Sequence, residues 1–314
     1  MKTMYLSTED GRFSQVEEAA SGAWVSLIEP TPAEIAAVAK EFHIDPDDIG
    51  AALDVEERSR VTSEDGYVLV LVDVPAMEDR GGRPWYITIP LGIIITPRAM
   101  ITVCSQRTSV INDFESGRVR DFRTFMKTRF TLQLLRRNSA AYINILHDID
   151  KLIDQGEANL RRSTRNEDLV NMFELEKSLV YINTSLVSNQ RVLDRLMRTA
   201  GIKKYPEDDD LLDDTVIENE QAVEMSTIYS NILSGTMDAY ASVISNNQNA
   251  IMKTLALATI VLAVPTMIFS AYGMNLNTKG YPFEAPLWGF YAVVGISFGI
   301  SFLIVVYFFR KKWF

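Results

Sequence analysis

Thr254-Leu-Ala-Leu-Ala-Thr-Ile-Val-Leu-Ala-Val-Pro-Thr-Met-Ile-Phe-Ser-Ala-Tyr-Gly-Met-Asn-Leu-Asn-Thr278 is 25 residues without a charge, and Ala285 to Phe309 is a second such stretch of equal length. Between them stands only Lys279-Gly-Tyr-Pro-Phe-Glu284. About 20 apolar residues cross the hydrocarbon of a bilayer, so the pair predicts a helical hairpin with a short turn, its spans at about 254–274 and about 286–309. Lys253 precedes the first span and Arg310-Lys311-Lys312 follows the second, while the turn carries one Lys and one Glu. Positive charge favours the cytosolic side, so both termini are expected to be cytoplasmic and the protein to be a multi-pass protein of the cell (inner) membrane.

The rest of the 314 residues is polar. Met1-Lys-Thr-Met-Tyr-Leu-Ser-Thr-Glu-Asp10 has no apolar core of a signal peptide, which predicts a body that starts in the cytosol. The single cysteine, Cys104, lies in an apolar run and reads as a buried, inert thiol of a reducing compartment. A net charge of −10 argues against a nucleic-acid partner and suits the collection of cations.

Residues 1–125 alternate short apolar runs with helical patches and predict an α/β domain with a mixed or antiparallel sheet. Ala23–Ile28, Gly66–Val74, Trp85–Ile95 and Ala99–Cys104 read as strands, rich in β-branched residues and bounded by Gly, Pro and charges. Thr31-Pro32-Ala-Glu34 reads as a helix start with Thr as N-cap, Pro at N1 and Glu at N3, and Asp45-Pro46 opens another. Residues 126–252 predict long stalk helices, with breaks near Ser163-Thr164 and Gly201. No Pro or Gly other than Gly235 interrupts from Glu207 to Val264, which predicts one helix from about Asp210 to Met274, about 65 residues and about 100 Å long, running into the first span. Such a helix needs neighbours for its apolar stripe, so a homo-oligomer is expected. Residues 253–314 complete the chain as the transmembrane domain.

On the first span Asn249, Met252, Leu255 or Ala256, Thr259, Ala263, Thr266 and Ser270 fall on one helical face, which is small or polar in most places. A polar stripe in a membrane helix faces water or a bundle interior. Tight packing through small residues, with the hydroxyls bonding their own backbone, is the alternative. Leu257, Ile260, Val261, Leu262, Met267 and Ile268 occupy the other faces, suited to lipid or to the second span, and Pro265 predicts a local kink. Trp288, Tyr291 and Trp313 read as interfacial anchors. His43 and His147 lie in separate segments without Cys or His nearby and read as ordinary solvated or satisfied side chains. No nucleophile–base pair, phosphate loop or metal-ligand spacing points to an enzyme.

Tyr272-Gly273-Met274-Asn275, at the outer end of the penultimate apolar segment, resembles the Gly-Met-Asn signature of the CorA family of divalent-cation channels. Phe173-Glu-Leu-Glu-Lys-Ser-Leu-Val-Tyr181 and Met237-Asp-Ala-Tyr-Ala-Ser-Val-Ile-Ser-Asn-Asn247 are similar to that family's long helices, and Trp24–Pro30 and Pro90–Ile95 match its N-terminal domain more loosely. The resemblance implies a channel for magnesium, and often cobalt or nickel, built as a homopentameric funnel whose five first spans line the pore. It implies that Gly273, Met274 and Asn275 form the mouth, where neutral oxygens meet a hydrated ion that gives up its water reluctantly. It implies a pore-facing hydroxyl at Thr266, a polar ring at Asn249 and an apolar constriction at Met252 and Leu255. Asp238 matches an acidic stalk position that helps hold regulatory magnesium, through which cytosolic magnesium would close the gate. The turn, Tyr281-Pro-Phe-Glu-Ala-Pro286, departs from the common Met-Pro-Glu-Leu pattern, with Glu284 as its acid. The acidic residues from Glu207 to Asp214 read either as a solvated helix start or as charges that divalent cations bridge between subunits. A zinc carrier of the same superfamily, which tends to have Ile where Met274 stands, and a two-span anchored sensor or scaffold without ion flux are the competing readings.

Overall fold

The computed structural model describes residues 1–8, 12–81, 84–162, 166–196, 198–199, 202–203, 205–274 and 288–311. The chain forms two compact units, Met1–Met237 and Asp238–Phe314.

Seven strands of the first unit make one mixed sheet: β1 (Lys2–Ser7), β2 (Phe13–Gln15), β3 (Ala23–Ile28), β4 (Arg60–Glu64), β5 (Tyr67–Asp79), β6 (Pro84–Ile95) and β7 (Ala99–Cys104). Their order is β2-β1-β3-β7-β6-β5-β4. The pair β3/β7 is parallel, with Ala23 opposite Ala99 and Ile28 opposite Cys104, and every other pairing is antiparallel. A parallel pair needs a long crossover, and here β4, β5 and β6 are built within it.

Both faces of the sheet are covered. On one side Val25, Leu27, Leu69, Leu71, Ile101 and Val103 meet Val38, Ala39 and Phe42 of α1 (Pro32–Phe42) and Ile49 of α2 (Pro46–Ala51). On the other, Val68, Val70, Val72, Val74, Ile89, Leu91 and Ile93 meet Val110, Ile111 and Phe114 of α3 (Ser109–Glu115). The same side is packed by Phe130, Leu134 and Leu135 of α4 (Lys127–Arg162) and by Val192, Leu193 and Leu196 of α5 (Asn166–Leu196). Burial on two faces is why β5 reads as a continuous apolar run and not as an alternation. Trp24, fully buried, donates from Nε1 to Thr102 Oγ1 at 2.9 Å and sits edge-on to Phe114, Phe122 and Phe130. Gly92 admits α2 to the sheet, since a Cβ there would stand 2.7 Å from that of Ala52.

Local signals act as read. Thr31 accepts from the Glu34 amide while the Glu34 carboxylate accepts from the Thr31 amide, a complete capping box. The Thr31 amide, joined by the N-terminal ammonium and the Lys2 amide, holds Glu34 down to a pKa of about 2. Cys104 is buried, with its thiol pushed up to about 11 by burial. α4 ends at Arg162, α5 runs from Asn166 to Leu196, and α6 (Asp209–Tyr272) follows a short 3-10 turn at Pro206–Asp208 as one helix of 64 residues. The last helix, α7, is Trp288–Arg310.

The long helices are pinned to the sheet at one backbone position. β4 ends with Arg60 opposite Leu71, two residues short of Asp73 of β5, so no strand takes the Asp73 amide and carbonyl there. The Asn189 side-chain amide of α5 fills the gap: its Oδ1 accepts from the Asp73 amide at 2.9 Å and its Nδ2 donates to the Asp73 carbonyl at 2.8 Å. Asn138 of α4 donates to the same carbonyl at 2.8 Å.

The Asp73 carboxyl is pushed above its ordinary range by burial, against hydrogen bonds from Ser185 and Ser59 that favour the anion. A raised folded-state pKa means that the folded protein holds this proton more tightly than the unfolded chain. Its stabilising contribution is complete below the ordinary value of 3.8 and is lost as pH rises through the folded value. Asp73→Asn should therefore raise the thermal midpoint at pH 7 and gain nothing near pH 4. Each kcal/mol relieved is worth about 2–4 °C in a domain of this size. Equal midpoint shifts for the variant at pH 4 and pH 7 would contradict the assignment.

Candidate ion pathway

Two helices of the chain, α6 and α7, are long and apolar enough to cross a membrane. Within the second unit they meet along restricted faces. On α7 the buried residues are Gly289, Val293, Ser297 and Ser301, each four apart and mostly small. On α6 Leu257 is buried and Val261, Val264, Pro265 and Ile268 are half-buried, which is one face at helical spacing. The Ser301 hydroxyl joins the two faces by donating to the Val261 carbonyl at 3.1 Å.

The small and polar stripe lies elsewhere. Asn249, Met252, Leu255, Thr259, Ala263, Thr266 and Ser270 are all exposed in the single chain. At about 100° per residue their mean direction is roughly 180° from the α7-facing residues. Leu262 and Met267, each 69% exposed, stand on the flanks. The pairing of α6 with α7 thus leaves the stripe bare, while Leu257, Val261 and Ile268 serve the contact. Of the exposed face, Met252 and Leu255 are the bulky apolar members.

The stripe's hydroxyls bond as threonines in apolar surroundings do. Thr259 donates to the Leu255 carbonyl and Thr266 to the Leu262 carbonyl, both at 2.8 Å. The proton is spent on the helix, so the hydroxyl oxygen keeps its lone pairs as acceptors. Such a group can receive a hydrogen bond from the water of a hydrated cation and offers nothing to an anion.

At the end of α6 the Gly273 amide donates to the carbonyls of Phe269 at 2.9 Å and Ser270 at 3.2 Å. A Cβ at Gly273 would stand 3.3 Å from the Phe269 carbonyl oxygen, closer than nearly all side chains sit. Gly273 is absent from the positive-φ residues, so its use here is the missing side chain. A helix C-terminus carries partial negative charge, favourable to cations. Met274, 55% exposed, closes the described segment. Asn275, Glu284 and the rest of 275–287, and Trp313, lie outside the described residues. Trp288 and Tyr291 are 82% and 67% exposed at the start of α7, as membrane-facing anchors would be.

Asp238 is exposed, and its backbone carbonyl accepts from Ser242 Oγ at 3.1 Å. Among the described residues no group of three His, Cys, Asp or Glu is gathered to hold a metal. The acidic run is divided. Asp208, almost wholly buried, pairs with Arg129 at 3.5 Å, and Arg136 pairs with Asp214 at 3.3 Å and with Glu218 at 2.9 Å. Burial nonetheless raises the Asp208 carboxyl, the Arg129 charge opposing it. Glu207, Asp209, Asp210 and Asp213 stay exposed. Sequence reasoning weighed only solvation and cation bridging for this run. The arginines, seven apart on α4, were the signal for a third role, which is docking α6 within the chain.

A sequence profile of the family described as CorA-like Mg2+ transporter protein matches residues 19–312. The cobalt/magnesium transport protein CorA of Methanocaldococcus jannaschii is 26% identical over 299 residues, covering 92% of this chain and 90% of that one. The complete structure of the CorA magnesium transporter from the same organism superposes with a TM-score of 0.84 at 23% identity, covering 100% of this chain and 99% of that one. The cytoplasmic domain of ZntB from Vibrio parahaemolyticus shares the fold at a TM-score of 0.60 and 12% identity, over 79% of this chain and 98% of that one.

If the bare stripe meets water in the assembled protein, Ala263→Cys, Thr266→Cys and Ser270→Cys should each react with a water-soluble thiol reagent in liposomes. Leu257→Cys and Val261→Cys should not. The native Cys104 thiol is buried and held protonated, so it stays silent. Labelling at 257 and 261 but not at 263, 266 and 270 would invert the face.

Proposed function

The chain belongs to the CorA-like Mg2+ transporter protein family, and from that premise we propose how its residues conduct and regulate the ion. The protein is a membrane transporter of magnesium and not an enzyme. Cobalt, which the name of its archaeal relative also carries, is a second cargo of the same chemistry.

The observation that carries the pathway reading is the bare stripe of α6 opposite its α7 contact. Several copies of α6 around an axis, five by family resemblance, would turn the stripe inward and leave α7 outside against lipid. Thr259 and Thr266 then offer rings of hydroxyl acceptors to the hydration water of a passing ion. Gly273, Met274 and Asn275 form the outer mouth, where amide and backbone oxygens receive that water. No carboxylate lies between Lys253 and Lys279, so retention of the ion's water shell and fit of the hydrated ion discriminate, consistent with magnesium's reluctance to dehydrate. Met252 and Leu255 are the apolar ring that can empty of water and so close the path. Both termini lie in the cytosol, by the charge pattern around the spans.

Asn275→Ala removes the amide ring and leaves the spans intact. Magnesium uptake into proteoliposomes should fall to the level of empty vesicles while the oligomer persists on size-exclusion chromatography. Uptake at the wild-type rate would sink the mouth assignment.

Regulation by cytosolic magnesium enters through Asp238. Like charges gathered at subunit contacts repel, and a divalent ion offsets that repulsion. Bound ions would hold the closed state by differential affinity. Asp238→Asn should shift inhibition of flux toward higher internal magnesium. Allosteric couplings are about 1–3 kcal/mol, about fivefold at the low end, which graded magnesium titrations resolve. Superimposable inhibition curves for variant and wild type would remove Asp238 from the sensor.

A further inference from the structure

Proline at position 265 leaves the carbonyl four residues earlier, that of Val261, without its intrahelical donor. In hydrocarbon no water can replace that donor, and the deficit must be met from within the protein. Ser301, 5% exposed on α7, supplies it: its hydroxyl donates to this same Val261 carbonyl at 3.1 Å. The choice of acceptor is specific. Thr254, Thr259, Thr266 and Ser297 each donate to the carbonyl four residues back on their own helix. For Ser301 that acceptor would be the Ser297 carbonyl, yet its proton goes 40 residues away in sequence to the carbonyl that Pro265 has orphaned.

The joint sits at a critical level of the stripe. Asn249, Met252, Leu255, Thr259 and Ala263 precede Pro265, and Thr266 and Ser270 follow it. The relative rotation of these two sets depends on the backbone between them, at the turn where Pro265 removes a hydrogen bond from α6.

We propose that Ser301 is a positioning residue for ion passage: its hydroxyl stands in for the amide that Pro265 removes and so holds the two parts of the α6 stripe in one register. This rests on the reading of the stripe as the ion pathway. The role belongs to the pair. Where residue 265 carries an N–H, the Val261 carbonyl has its helical partner and the hydroxyl of α7 has no task.

The test is a double-mutant cycle on the full chain: Ser301→Ala, Pro265→Ala and the two together, with Ser301→Thr as the conservative variant. Each is purified in detergent for SDS-induced unfolding and reconstituted for magnesium uptake, normalised to assembled protein. Ser301→Ala should weaken the folding equilibrium by about threefold to about tenfold, the span of measured interhelical hydrogen bonds in membranes, and slow uptake severalfold. Ser301→Thr should restore both. In the Pro265→Ala background Ser301→Ala should change neither. An equal loss in both backgrounds would mean that the serine only fills space, and no loss in the wild-type background would mean that the bond is idle; either overturns the proposal. A coupling seen in unfolding but not in uptake refutes the positioning role. Should Ser301→Ala fail to assemble, the double variant must assemble, and its failure also refutes the pairing. Absence of flux from wild-type vesicles is a distinct result, which removes the pathway reading and the positioning role with it while the unfolding cycle still judges the pair.

Discussion

A backbone polar group shut away from water must find its partner inside the protein, and this constraint is met at two places in the chain by the same device. β4 ends two residues short of Asp73, and the Asn189 side chain takes both the amide and the carbonyl of that residue. Pro265 denies an N–H to Val261, and the Ser301 hydroxyl takes that carbonyl. In each case the substitute donor comes from a different element, so the repair also fastens two elements together. Asn189 ties α5 to β5 in the core; Ser301 ties α7 to α6. An unpaired buried group costs about 1–3 kcal/mol, enough for one such fastening to decide where a helix sits.

The spans show how little freedom that leaves. Small residues on α7 let it approach α6, and the half-buried side chains of α6 are spent on that contact. The hydroxyls of Thr259 and Thr266 are tied back to the helix, which keeps their oxygens available and their protons out of the way. A helix wholly apolar in its contact face and acceptor-rich on the opposite one is divided between two duties.

What the sequence made legible was whatever has a local signature. The uninterrupted run from Glu207 predicted a single helix entering the first span, and α6 is that helix, 64 residues from Asp209 to Tyr272. Thr31, Pro32 and Glu34 announced a capping box because its parts are three residues apart. The strands at 23–28, 85–95 and 99–104 carried enough β-branched residues to be recognised. β1 was not recognised: Lys2–Ser7 mixes polar and apolar residues because only Thr3 and Ser7 of it are fully buried. β2 and β4 are three and five residues long and half exposed. The parallel union of β3 with β7 has no mark within either strand. Nor do Arg129 with Asp208 or Ser301 with Val261, whose partners are far apart in sequence. The stripe on α6 was legible as a periodicity. That it lies opposite the α7 contact was not, since helical spacing says which residues share a face but not which face a neighbour takes.

The parallel union of β3 with β7 bears on biogenesis. A chain emerging from the ribosome cannot close this sheet until residue 104 is out, and it cannot seal the second face until Val192, Leu193 and Leu196 of α5 follow. From Leu196 to the first uncharged residue of the spans, Thr254, there remain 58 positions. At synthesis rates of about 5–20 residues per second that interval lasts about 3–12 s, far longer than hydrophobic collapse of a domain. The soluble unit therefore has time to bury its own apolar surface before the most aggregation-prone part of the polypeptide exists. The insertion machinery then receives a hairpin with a folded body already attached.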